Sequence, residues 1–177
     1  MPKVYFVKKA RKDNPVVKKG ESYYWWKHAF GPKKFSKERP KASQLTQSSY
    51  LSQLYALQEG LHERFTDFDS LNDEVTALID DLNELGQECQ DSLDSMPEHL
   101  QDSSSSGELL QERIDAIESA VSEMESIDIP EEPEDWTDEN DDWNKMDESA
   151  RNEFKKEWYS EKINEVIQSI EDSWPDS

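Results

Sequence analysis

The stretch LNDEVTALIDDLNELGQECQ, residues 71–90, decides the fold. Its apolar side chains, Leu71, Val75, Leu78, Leu82, Leu85 and Cys89, recur at alternating steps of four and three, the average of 3.5 that marks a coiled-coil seam. Upstream the same rhythm runs through Tyr50, Leu54, Leu57, Leu61 and Phe68. It lapses once, at position 64, where Arg64 stands and Phe65 lies beside the seam. Two readings follow. An unbroken helix from about 46 to 96 would be roughly 75 Å long at ~1.5 Å per residue, with Thr46 as N-cap and Pro97 as its stop. In the other reading the capping residues at 66–70 break the helix, and Ser70 with Asp73 forms a capping box.

Beyond Pro97, Ser103-Ser104-Ser105-Ser106-Gly107 reads as a flexible polar connector. A second seam follows in Leu110, Ile114, Ile117, Val121 and Met124, matched in length to residues 71–96. The expectation is an antiparallel helical hairpin with the serines at its tip, although the same seam would also support a homodimer. Residues 129–145, with Pro130, Pro133 and a run of acids, read as an extended acidic linker. A last helix is expected from Met146 or Asp147. Its stripe of Ala150, Phe154, Trp158, Tyr159, Ile163, Val166, Ile167 and Ile170 is wider than a two-stranded seam, so it should pack on other elements, with residues 50–70 and the N-terminal segment as candidates. Residues 174–177 read as a tail.

The first 42 residues have a different grammar. Lys3-Val4-Tyr5-Phe6-Val7 and the segment 22–30 (SYYWWKHAF) carry strand propensity, Gly31-Pro32 marks a turn, and residues 33–37 return as a third strand. Alternation places Tyr23 and Trp25 on one face and Tyr24, Trp26 and His28 on the other. One face should rest on the next helix, since so few strands are marginal alone. The expected fold is therefore mainly α: a helical-hairpin body with a small antiparallel β-sheet (α+β). The segments are 1–42 (basic aromatic β module), 43–128 (helical hairpin), 129–145 (linker) and 146–177 (final helix and tail).

Charge divides along the same line. Residues 1–42 hold thirteen Lys and Arg against Asp13, Glu21 and Glu38, a net of +10, whereas residues 43–177 hold seven basic and thirty-eight acidic groups, a net of −31. Apolar residues are 33% of the chain, below the roughly 45–50% of globular proteins, which suits narrow seams better than a thick core.

The stretch 23–37 (YYWWKHAFGPKKFSK), an aromatic strand followed by a basic hairpin, resembles the three-stranded DNA-binding module at the N-terminus of phage-type tyrosine recombinases. That resemblance implies DNA contact by the sheet. No recombinase catalytic domain follows it, and the nucleophilic Tyr with its Arg and His partners has no place in the remainder. The chain as a whole is similar to the small, acidic, helical proteins of unassigned function that phages encode.

Chemistry-bearing motifs are absent: no H-E-x-x-H, C-x-x-C, P-loop or G-x-S-x-G pattern occurs, and His28, His62 and His99 lie far apart. No enzymatic activity, cofactor or metal is expected. Asp138-x-Asn140-x-Asp142 opens like a calcium loop, but Trp143 replaces the required Gly and Ser149 the bidentate Glu. The lone Cys89 falls on the seam and reads as a buried structural thiol in a reducing, cytoplasmic setting. The start MPKVYFVKKARK lacks the apolar core of a secretory leader, and no run is apolar enough to span a membrane.

The expected function is binding. The basic head should contact nucleic acid, with Trp25, Trp26, Lys33, Lys34 and Lys37 as the candidate residues, because cations satisfy phosphates and aromatic faces stack on bases. The acidic helices should contact a protein partner through Asp80, Asp81, Glu84, Glu88, Asp91, Asp94, Glu118, Glu123 and Glu125. The alternatives are an acidic DNA mimic that inhibits a host DNA-handling or defence protein, and a structural coiled-coil component of a larger assembly.

Overall fold

The computed structural model describes all residues of the chain except Asp102, Asp138, Asp141, Asp176 and Ser177. It divides into two compact units, Met1–Glu59 and Gly60–Ser177.

Unit 1 opens with an antiparallel sheet in the order β1 (Val4–Val7), β2 (Tyr23–Trp26) and β3 (Lys34–Ser36). The register sets Tyr5 and Phe35 on either side of Trp25, and Val4 and Lys34 on either side of Trp26. Between β1 and β2 the chain folds on itself through short polar bonds. Asn14 Oδ1 accepts from the N–H groups of Val16 and Val17, both at 3.0 Å, and Asp13 accepts from the Lys19 N–H at 2.7 Å. Gly20, at φ +98°, supplies the left-handed turn. A 3-10 turn at Ala42–Leu45 leads to α1 (Ser49–Glu59). Trp26, 4% exposed, lies on the sheet face that meets this turn and helix, lining a cleft with Ser43, Gln44, Ser52 and Ala56. One sheet face therefore rests on a helix, as three short strands require. Thr46 is not the N-cap: it closes the 3-10 turn and accepts from the Ser48 N–H, while Ser48 caps α1 by accepting from the Leu51 N–H.

In unit 2 the break near 66–70 is real. After the one-turn α2 (Leu61–Arg64), Phe65 leaves helical geometry at ψ 80° and buries its ring. Asp67 caps a 3-10 turn at Phe68–Ser70, accepting from the Asp69 N–H, while Ser70 stands at the N-cap of α3 without a side-chain bond, so the expected box between Ser70 and Asp73 does not form. The 24-residue α3 (Leu71–Asp94) then runs to its stop short of Pro97. A one-turn α4 (Glu98–Gln101) and the 20-residue α5 (Ser105–Met124) follow. α3 and α5 pack antiparallel, with Gly86 against Ile117 and Leu93 beside Glu108 and Gln111. Leu71, Val75, Leu78, Leu82, Leu85, Cys89 and Leu93 are buried from one side, and Ile114, Ile117, Val121 and Met124 from the other. The serine tip is not a flexible connector. Ser104 is the N-cap of α5, accepting from the Gly107 N–H at 3.1 Å, and Ser105 and Ser106 are helical. A Cβ on Gly107 would lie 2.0 Å from the Gln101 carbonyl, so the turn is this tight only because the residue is glycine.

The final helix, α6 (Glu148–Asp172), starts where Asp147 accepts from the Ala150 N–H at 2.9 Å. The segment before it is no linker. Trp136 is 8% exposed, with its ring centroid 5.4 Å from Trp143, 5.3 Å from Trp158 and 6.2 Å from Phe154. Phe68 joins the cluster against Trp158 and Tyr159, at 5.4 and 4.9 Å, and the strap that carries Trp136 and Trp143 docks on α6 through these two rings. Composition masked this: proline and acid dominate the segment, but one indole in a ring cluster outweighs them, since burying an aromatic removes some 150–250 Å² from water. Of the calcium-like run, Asp138 lies outside the described residues. Asn140 accepts from the Asp142 N–H, and Asp142 pairs with Lys145.

Trp136→Ala is expected to lower the unfolding free energy by about 3–5 kcal/mol in urea denaturation, the usual cost of emptying a buried aromatic site. An unconstrained linker would lose less than about 0.5 kcal/mol.

Candidate nucleic-acid interface

Every one of the thirteen Lys and Arg side chains of unit 1 is exposed. The unit has four carboxylates, so its formal charge is +9. Three of these four are occupied by other donors. Asp13 takes the Lys19 N–H, Glu21 takes the Lys18 N–H at 2.7 Å, and Glu59 takes the Ser43 N–H at 3.1 Å and its hydroxyl at 2.7 Å. Within unit 1, among the described residues, no Lys or Arg forms an ion pair.

The five candidate residues do not make one patch. Trp25 stacks on Tyr5 with centroids 4.3 Å apart and planes within 9°, while the Lys33 ammonium sits 4.3 Å from the same indole. One face cannot hold both at that distance, so both faces of Trp25 are covered. Trp26 is buried and leaves the candidate surface altogether. Lys34 is opposite Trp26 in register and borders the cleft beside it, and Lys37 is exposed just past β3. The three lysines are exposed and, among the described residues, pair with no carboxylate of unit 1, Lys33 lying over the Trp25 ring, and the two indoles serve the fold. The exposed rings are others: Tyr5 at 41%, Phe6 at 58% and Phe30 at 88%. Phe30 was within reach of sequence reading. It directly precedes Gly31-Pro32, and a ring in the turn escapes the pairing that covers a ring in the strand.

On unit 2 the candidate acids Asp80, Glu84, Glu88, Asp91, Asp94, Glu118, Glu123 and Glu125 are exposed. Asp91 and Asp94 accept from the side chains of Gln87 and Gln90. Asp81 is half-buried. Arg64 reaches it at 2.7 Å and Glu74 at 2.9 Å, which ties Asp81 into an ion pair of the fold. The Arg64 that interrupts the heptad rhythm is thus the clamp that fixes the broken segment to α3. Cys89 is buried between α3 and α5, and that burial pushes its thiol up.

Beside α6 a groove of about 730 Å³ is lined by His62, Lys155, Lys156 and Tyr159. Lys155 pairs with Glu132 at 2.9 Å. Burial pushes the Tyr159 phenol up to about 12, and its bond to Glu132 adds to the shift. The same lysine, then Tyr159, holds the Glu132 carboxyl below the usual range.

No family model, curated protein or solved structure matches the chain. Among the described residues no helix is long and apolar enough to cross a membrane.

A raised tyrosine favours the protonated phenol in the folded state, so its contribution is complete below pH 10 and falls as pH rises toward 12. In a tyrosinate-absorbance titration, one of the six tyrosines should ionise near 12 in the native protein. Glu132→Gln should move that step down, and an unmoved step would contradict the pairing.

Proposed function

We propose that this chain is a non-enzymatic binding protein whose basic unit holds nucleic acid through its phosphates and whose acidic helices meet a basic protein partner. The observation that supports it is the set of thirteen exposed cations in unit 1, without a carboxylate partner within that unit among the described residues, while three of its four acids serve N–H and O–H donors. Cations of this kind gain from a polyanion, because each phosphate neutralised releases counterions. Unit 1 carries a formal +9 of its own, opposite in sign to the net −21 of the chain, and contacts of this kind weaken as salt screens them. Phosphate contacts position a strand without reading its sequence, so weak, salt-sensitive and sequence-tolerant binding is the expectation.

A second reading draws on the outer face of α3. Asp80, Glu84, Glu88, Asp91 and Asp94 line the side of the helix opposite its seam. Such a row of anions suits the groove of a DNA-handling protein, and the chain would then act as a DNA mimic. Duplex DNA competing for a basic DNA-binding protein held by this chain would favour mimicry.

Fluorescence anisotropy of the full-length chain with labelled DNA and RNA across a salt series tests the first reading. Affinity should fall linearly on a log–log plot. Replacing Lys33, Lys34 and Lys37 by Ala should reduce the slope by about 2–3, at roughly 0.7–0.9 per phosphate contact. No binding at low salt to any DNA or RNA would reject the proposal.

A further inference from the structure

The ring of Phe30 is 88% exposed, more than any other aromatic side chain among the exposed large hydrophobics of the chain. It stands in the turn between β2 and β3. The backbone there is held while the ring is not. The Phe30 carbonyl accepts from Gln47 Nε2 at 3.3 Å, His28 two residues earlier is buried, and Gly31 takes φ +154° ahead of Pro32, whose own φ is fixed by its ring. Among the described residues no other ring and no cation covers Phe30. The remaining aromatics of the sheet each have a neighbour, Tyr5 with Trp25, Phe6 with Tyr24, Tyr23 with Phe35, and Trp26 against α1, and the exposed Tyr5 and Phe6 each keep one face on a ring. Exposing a phenyl to water is unfavourable, and nothing within the unit offsets it. On either side along the chain stand the exposed cations Lys27, Lys33 and Lys34.

A flat apolar surface between cations matches one chemistry in particular: an unpaired base flanked by its own phosphates. We infer that Phe30 stacks on an unpaired base of a single-stranded nucleic acid, and that this contact makes unit 1 prefer single strands or loops over duplex. Duplex would first have to unstack and open a step, and that cost is comparable to what a single stack returns. Single strands need no such opening. The inference rests on the proposed nucleic-acid binding and adds to it a named ring and a strand preference. Lys33 and Lys34 supply sequence-independent attraction, whereas Phe30 supplies the part that salt does not weaken.

The test uses the full-length chain, as wild type, Phe30→Ala and Phe30→Tyr, against a labelled single-stranded oligonucleotide, the same sequence as duplex, and vesicles containing phosphatidylserine. Wild type should bind the single strand more tightly than the duplex. Phe30→Ala should weaken single-strand binding about 5- to 100-fold with the salt slope unchanged, and duplex binding less than about 2-fold. Phe30→Tyr should restore single-strand binding. If wild type binds nucleic acid but Phe30→Ala leaves single-strand affinity intact, or weakens single strand and duplex alike, this inference fails while the parent proposal stands. Loss of vesicle binding alone in Phe30→Ala would assign the ring to a lipid surface and overturn the inference. Absence of any nucleic-acid binding by wild type would overturn both.

Discussion

Charge of one sign gathered into one unit repels itself, and each part of this chain is shaped by how that repulsion is met. Unit 2 carries thirty-seven acids and seven bases. Its bases are concentrated where they bind the fold together. Arg64 bridges Glu74 and Asp81. Arg151 donates to the Trp143 carbonyl and lies over that ring. Lys155 joins Glu132 and Trp136, and Lys162 joins Glu165 and Trp158. Unit 1 has the opposite economy: three of its four acids hold backbone and hydroxyl donors, and within the unit, among the described residues, its many bases hold no carboxylate. The minority charge in unit 2 works for cohesion, and the majority charge in unit 1 is left to the surface.

Cohesion against that repulsion comes from narrow apolar contacts. Leu78 and Leu82 are wholly buried in the α3–α5 seam, and each such leucine contributes about 1.5–3 kcal/mol relative to exposure. The aromatic cluster around Trp136 does the same for the strap and α6. In unit 1 Trp26 and Phe35 line the cleft where the sheet meets its helix. A chain with so little apolar material cannot also supply unused rings cheaply, which gives the exposed Phe30 its meaning.

The heptad seam, the hairpin and the start of α6 were legible in the sequence, because periodicity and capping chemistry are local, whereas the break near 66–70 was one of two open readings. Pairing across a sheet is not local. Alternation separated Tyr23 and Trp25 from Tyr24 and Trp26, but which face would meet α1 depended on contacts formed twenty or so residues away, so Trp26 was misplaced at the surface. The strap was missed for the same reason: Trp136 sits among prolines and acids in sequence and among rings only in space. Ser104 at the tip was hidden by its neighbours, since four consecutive serines look like a linker until one of them caps a helix. Eight of the nine acids singled out in the sequence lie at the surface, and the half-buried Asp81 could be told from them only through Arg64.

Lysine acetylation of the full-length protein, mapped by mass spectrometry with and without a single-stranded oligonucleotide, addresses the central claim directly. The account predicts that Lys33, Lys34 and Lys37 react quickly in the free protein and become protected by the oligonucleotide, while Lys155 and Lys162 react slowly in both. Slow reaction of the three unit 1 lysines in the free protein, or fast reaction unchanged by the oligonucleotide, would contradict it.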